Sequence, residues 1–299
     1  MNPRLLLVDG HNLLFRMFFG MPDNFYSARR IKFNAVYGFA SAIHKVQSLL
    51  RPSHMLVLFD SQDCGDRRQL DDAYKANRPD YSEMAPDDCP FTQLPAIYAM
   101  LDEMKIPHKE IHGCEADDVI ASYAITCRDR FDVIIFSTDR DYWQLIGEHV
   151  SILDYHGVNS SLITPPTVMK KFGVTPEQIA DYKCLVGDNS DNITGVPGVG
   201  PKTAASLLTK FGTLENLLEH IDEIDKPKIR ASIAESRERL DLNVKLIRLS
   251  DTVPLPIEPE ELTFRYRHPG DLHELSSDLA DEYIGRDIDI ASTAASLCL

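Results

Sequence analysis

Three short apolar runs, Arg4–Asp9, His54–Asp60 and Phe131–Ser137, set the frame of this chain, because each is continuous and bounded by polar residues. A run of that kind, apolar without alternation, is the pattern of a strand covered on both faces. Between the runs, Phe33–Leu50 and Asp117–Cys127 carry apolar residues at helical spacing. Strand alternating with helix predicts an α/β fold with a mostly parallel central sheet flanked by helices. Val150–Tyr155 reads as one further strand.

After about residue 165 the pattern changes to short helices punctuated by Gly and Pro. Pro176–Val186, Lys202–Phe211, Leu214–His220 and Lys228–Leu249 read as helices, with no convincing strand among them. The expected organisation is an α/β core over 1–165, a helical subdomain over 166–284 and a flexible tail over 285–299. Gly65–Pro90 is a long polar stretch set directly after a strand, and loops of that length inside a compact domain are usually functional.

No segment reaches 18 uninterrupted apolar residues, so no membrane-spanning helix is expected. The short apolar start, ending at Asp9, does not read as a signal peptide. Six cysteines are scattered without a CxxC pair, which fits reduced thiols and a cytoplasmic location better than a zinc site. The formal charge is −15, from 31 basic and 46 acidic residues, and at first sight argues against a polyanionic partner.

The carboxylates carry the chemistry. Asp9 and Asp60 end buried strands, Glu115, Asp117 and Asp118 open a helix, and Asp139 and Asp141 follow the third strand. The carboxyl ends of strands in an open parallel sheet converge on one crevice. Mutually repelling carboxylates gathered there need a compensating cation. Oxygen ligands without His or Cys point to Mg²⁺ or Mn²⁺, and two such ions about 4 Å apart would clamp a phosphodiester undergoing in-line attack. Asp188 and Asp191, three apart, add carboxylates able to share one helix face.

Gly195 to Gly200 form a glycine turn that enters a helix through Pro201, and its amides with Lys202 can hold a phosphate. A Walker A loop fits less well, because Pro201 displaces Lys202 and Thr203 by one position and no buried strand precedes the turn.

Taken in order, these motifs resemble the flap endonuclease / 5′–3′ exonuclease family, which includes the 5′-nuclease domain of bacterial DNA polymerase I. The resemblance runs from Leu5 to about Leu279. It is carried by Leu7-Val8-Asp9-Gly10 with Arg16, Asn34–Phe39, Phe59-Asp60, Arg67, Tyr74–Pro79, Gly113–Asp118, Ser137–Asp141 and Gly187–Ala204. It implies a PIN-like or resolvase-like core, a helical arch at 65–90 and a helix–hairpin–helix DNA-binding motif. It further implies a first metal on Asp9, Asp60, Glu115 and Asp117, and a second bound or supported by Asp139, Asp141 and Asp191. Asp118 and Asp188 would act through bridging or water-mediated contacts. Lys75 and Arg78 would contact the scissile phosphate, Tyr74 would offer a stacking face, and Arg67 would assist. Gly198, Gly200, Lys202 and Thr203 would grip the duplex backbone, with a K⁺ ion held by hairpin carbonyls. The implied protein is a monomeric nuclease of DNA replication and repair, acting on 5′ flaps and 5′ ends, and free-standing because the sequence stops where a polymerase would begin.

The residues temper that picture in one place. The 65–90 stretch carries four basic against seven acidic residues, a poor balance for a DNA clamp that predicts weak, salt-sensitive binding. Elsewhere the distribution of charge removes the objection raised by the total. Residues 250–299 hold 3 basic and 11 acidic residues, more than half of the net excess, and the nine candidate ligands account for the rest. A non-catalytic binder of branched DNA and a related ribonuclease stay open as alternatives. His11 reads as a strand-end polar residue, and Tyr37, Phe39 and Trp143 as core.

Overall fold

A computed structural model describes residues 2–61, 66–81, 84–266 and 268–284, so the tail expected over 285–299 lies outside the described residues. Six strands form one sheet in the order β3-β2-β1-β4-β5-β6. They are β1 Arg4–Asp9, β2 His54–Asp60, β3 His108–Ile111, β4 Asp132–Phe136, β5 Val150–Asp154 and β6 Ser161–Ile163. The first five run parallel, and β6 turns back antiparallel to β5. The helices of this half are α1 Gly10–Gly20, α2 Asn34–Leu50, α3 Asp66–Leu70, α4 Leu94–Glu103 and α5 Ala116–Cys127.

The uniform apolar runs are explained by burial on both faces. Leu5 and Leu7 of β1 pack with α5 on one side, while Leu6 and Val8 pack with α1, α2 and α4 on the other. All four are fully buried. Strand β3 has no apolar run to announce it, since its sequence His-Lys-Glu-Ile buries only its last residue fully at the sheet edge.

The second half contains α6 Pro165–Phe172, α7 Ile179–Val186, α8 Pro201–Phe211, α9 Leu214–Glu219, α10 Pro227–Glu235, α11 Arg237–Ile247 and α12 Leu272–Tyr283. The single helix expected over Lys228–Leu249 is two. Ser236, at φ −94° and ψ 9°, leaves the helical region, and its hydroxyl donates to the Ser232 carbonyl at 2.8 Å. That local bond competes with the backbone ladder. The expectation of no strand here also needs correction, because Gly187–Asp188 (β7) and Ile193–Thr194 (β8) pair as a minimal antiparallel ribbon.

The end of the described chain leaves the helical subdomain to which 166–284 was assigned. Leu279, Ala280 and Ile284 bury themselves in the cluster formed by α1, α2 and α4, and Ser27 donates to Asp281. An apolar stripe at Leu272, Leu275 and Leu279 gives α12 its reason to dock there.

The stretch expected as a helical arch contains, among its described residues, the five-residue α3 and a 3-10 turn at Pro86–Asp88. Asp71 accepts from the Ala73 amide and fixes a turn, and Lys75 takes a left-handed φ of 57°. Both features end helix propagation.

Candidate active site

The sheet order reverses direction beside β1, and this switch point places the site. Val8 is paired with Phe136, so the next residues, Asp9 and Ser137, emerge side by side. The Ser137 hydroxyl donates to Asp9 Oδ2 at 2.9 Å, while Asp9 Oδ1 caps α1 by accepting from the Asn12 amide at 3.0 Å. On the other side, Asp60 ends β2 and accepts at 2.7 Å from the Ala116 amide, which opens α5. That bond carries Asp117 into the crevice, where the Tyr142 phenol donates to Asp117 Oδ1 and, at 3.4 Å, to Asp9 Oδ2. Asp139 accepts from the Asp141 amide at 2.8 Å and so fixes the turn after β4.

Burial and mutual repulsion show how much negative charge is gathered. Burial, followed by the charges of Asp60 and Asp139, raises the Asp9 carboxyl from 3.8 to about 6. Burial, followed by Asp9, Asp139 and Asp60, lifts Asp117 well above the ordinary range. Asp9, Asp60, Asp117 and Asp139 therefore form one electrostatic group. Tyr142, fully buried and raised far above 10 by burial and these neighbours, stays a neutral donor.

The other predicted residues are held by cations of the chain. Arg67 donates to Glu115 and, at 2.6 Å, to Asp118, whose Oδ1 also accepts from the Ser250 amide at 2.8 Å. Asp118 is thus committed to a clamp behind the crevice. Lys75 lies 3.3 Å from Glu115 Oε2, and Arg78 lies 3.0 Å from Asp191 Oδ1. Lys183 of α7 bridges Asp141 and, at 2.7 Å, Asp188.

Asp188 and Asp191 do not share a helix face as expected. Asp188 ends β7 and Asp191 sits in the turn before β8, because Gly187 at φ 86° stops α7 and lets the chain fold back against Gly195. Residues of the 73–78 stretch then fasten to this turn. Lys75 N–H donates to the Asp191 carbonyl at 3.0 Å, Asn192 Nδ2 to the Ala73 carbonyl at 2.8 Å, and Asn77 Nδ2 to the Asn189 carbonyl at 3.1 Å.

Tyr74 departs from expectation. Instead of offering a stacking face, it is 4% exposed and belongs to the larger apolar cluster, with Val119 and Ile120. No open ring face is left for a base to stack on. His11 is likewise not at a strand end but in the first turn of α1, where Nδ1 accepts from the Asp60 amide at 3.2 Å.

Gly198 has φ +78°, and a side chain at Gly200 would meet nothing within 4 Å. Pro201 begins α8, and Lys202 and Thr203 face a groove shared with Lys210 and Lys226. This end of the subdomain is positively charged and open, in contrast to the carboxylate crevice.

The sequence reading missed Tyr142, Ser137 and Lys183. Tyr142 lies in an apolar stretch that reads as core, Ser137 occupied a motif without a role, and Lys183 lies on a helix five residues before Asp188.

The oxygen-only donor set suits a hard divalent cation. Among the described residues, however, no three of these side chains are already arranged around a point to hold an ion, since the hydrogen bonds and ion pairs above orient them.

Sequence models settle the relationship. The 5′-3′ exonuclease, N-terminal resolvase-like domain matches residues 4–173, and the 5′-3′ exonuclease, C-terminal SAM fold matches residues 174–269. The chain belongs to the 5′–3′ exonuclease family. Within that family, the 5′–3′ exonuclease of Aquifex aeolicus is 35% identical over 278 residues, covering 93% of this chain and 91% of the relative. DNA polymerase I of Bacillus caldotenax is 37% identical over 272 residues, 89% of this chain but 30% of its own length. The chain thus spans about a third of the polymerase relatives it matches. A complex of the bacteriophage T5 flap endonuclease with DNA and metal ions superposes with a TM-score of 0.66 over 98% of both chains at 24% identity, which shows the shared fold.

Proposed function

We propose that this chain hydrolyses DNA phosphodiester bonds at 5′ flaps and 5′ ends with the help of two divalent ions, Mg²⁺ or Mn²⁺. The reading rests on one observation above all: Asp9, Asp60, Asp117 and Asp139, from separate elements, share a crevice at the sheet switch point, where burial and then their mutual repulsion raise Asp9 and Asp117. Bound ions would supply Lewis-acid activation of water and stabilise the departing 3′ oxygen.

The chain's own residues supply the remaining functions. Asp9, Asp60, Glu115 and Asp117 would hold the first ion, and Asp139, Asp141 and Asp191 the second, with Asp118 and Asp188 in support. Lys75 and Arg78 sit on Glu115 and Asp191, so an entering phosphate would draw both cations onto its oxygens, where they offset charge in the transition state. Gly198, Gly200, Lys202 and Thr203 would hold the duplex backbone at the end of α8, with K⁺ on the hairpin carbonyls. The T5 relative, which shares the fold, is a complex with DNA and metal ions, and this supports DNA and divalent ions as the ligands of this chain.

Product mapping on a labelled 5′-flap duplex tests the proposal. Cleavage near the flap junction that requires Mg²⁺ or Mn²⁺ and is lost in Asp139→Asn is the expected result. Cleavage without a divalent ion, or full activity in Asp139→Asn, would overturn the two-metal reading. Flap binding without turnover would make the protein a binder of branched DNA, and equal cleavage of an RNA flap would widen the substrate class.

A further inference from the structure

The carboxylates of the site are not compensated alike. Asp9 and Asp117 are satisfied by neutral donors: the Asn12 amide, Ser137 and Tyr142. Asp141 and Asp188 are instead joined by one buried ammonium. Lys183 projects from α7 with its side chain 13% exposed and donates to Asp141 Oδ1 and to Asp188 Oδ2.

We infer that Lys183 is the resident cation of the second carboxylate group, and that it makes that group the weaker of the two for a divalent ion. The inference rests on the proposed use of metal at this site. An ion entering between Asp139, Asp141 and Asp191 meets a full positive charge within hydrogen-bond distance of one of those ligands and of the neighbouring Asp188. It must displace or share contacts with that charge, and with Arg78 on Asp191, so two of the three ligands of the second ion carry a cation. An ion entering at the first group meets cations only at Glu115, which holds Arg67 and Lys75, and meets mainly hydroxyls and amides at Asp9, Asp60 and Asp117.

The role of Lys183 is electrostatic more than architectural, because its partners have anchors of their own. Asp188 Oδ1 accepts from the Ser190 amide at 2.8 Å and from the Ser190 hydroxyl. The Asp141 amide is bound to Asp139 Oδ1 at 2.8 Å. Removing the ammonium therefore leaves the Asp188 carboxylate and the Asp141 backbone in place, with both charges exposed to an ion.

Calorimetric titration of the full-length protein with Mn²⁺, supported by counting bound Mn²⁺ by electron paramagnetic resonance, tests this without reference to cleavage. The wild-type chain should bind one ion tightly and a second at least about tenfold more weakly. Lys183→Met should strengthen the second event by about tenfold or more and leave the first within about threefold, and Lys183→Arg, which keeps the charge, should titrate like wild type. Equal, tight binding of two ions by the wild-type chain would overturn the inference whatever the variants do. So would a Lys183→Met titration that matches wild type, or one that loses the second ion. Absence of Mn²⁺ binding in every form would overturn the metal reading itself, a result distinct from the other three.

Discussion

Arg78 Nη2 lies 3.0 Å from Asp191 Oδ1, joining the stretch after β2 to the turn between β7 and β8 across 113 residues of sequence. The Lys75 amide reinforces the join through the Asp191 carbonyl. The groups proposed to meet the scissile phosphate are therefore stored on the carboxylates they would leave when DNA enters.

That storage makes the part played by Lys75 testable. Lys75→Ala should reduce single-turnover flap cleavage about 100-fold, the typical effect of removing one donor to developing negative charge, while changing flap affinity by less than about threefold. Quench-flow cleavage alongside fluorescence anisotropy would measure both, and a loss confined to affinity would remove Lys75 from the chemistry.

Tyr142 is a fully buried donor to Asp117 and Asp9. Tyr142→Phe leaves Asp117 Oδ1 without this donor and Asp9 Oδ2 with Ser137, and should destabilise the metal-free protein by about 1–3 kcal/mol in urea denaturation. A change below about 0.5 kcal/mol would mean that the phenol contributes no net stability.

The raised carboxyl of Asp9 fixes the sign of a pH effect. The folded chain keeps its proton to about pH 6, and the unfolded chain releases it near 3.8. The resulting cost to stability is absent below that lower value, grows as pH rises and is complete above about 6. Asp9→Asn, which can still accept from the Asn12 amide, should therefore stabilise the metal-free protein at pH 7 by about 2–3 kcal/mol, have little effect at pH 4, and abolish stabilisation by Mg²⁺. Thermal unfolding at the two pH values, with and without Mg²⁺, reads all three.

Two glycines near one another in sequence should behave differently. A Cβ at Gly195 would stand 2.3 Å from the Val186 carbonyl carbon and 2.4 Å from the Gly187 nitrogen, backbone atoms that cannot rotate away. Gly195→Ala should cost more than about 2 kcal/mol and impair cleavage with it. Gly200 meets nothing within 4 Å, so Gly200→Ala should keep its melting temperature within about 2 °C while weakening duplex binding. Equal stability of the two variants would contradict the close approach of the β7–β8 ribbon.

Binding to flap DNA should fall steeply with salt, and Lys202→Ala should lower the slope of log affinity against log salt by about one. Anisotropy titrations from low to moderate KCl would show it, and an affinity indifferent to salt would exclude backbone recognition at the end of α8.

How far the sequence revealed this molecule depended on burial. Leu5–Val8 and Met55–Phe59 are buried on both sides, so their strands were legible as apolar runs, and the carboxylates at their ends could be assigned to one crevice before any geometry was known. Strand β3 was not legible, because a short edge strand leaves no such run. The burial of Tyr74 and the place of Lys183 were not legible for another reason. Each meets residues far away in sequence, Tyr74 in the apolar cluster that includes α5 and Lys183 at Asp141, and no local pattern records that. The two-residue ribbon of β7 and β8 depends on the contact between Gly187 and Gly195, which spacing alone could not distinguish from a helix.

The two matched regions meet between Gly173 and Val174, and the carboxylate crevice draws on both: Asp9 to Asp141 from the first, Lys183, Asp188 and Asp191 from the second. Neither half is an interchangeable module. A chimera joining the first region of this chain to the second region of a relative would inherit a counter-charge and a hairpin fitted to other partners. The halves can diverge only in step, each substitution at the seam constraining what the other side can accept.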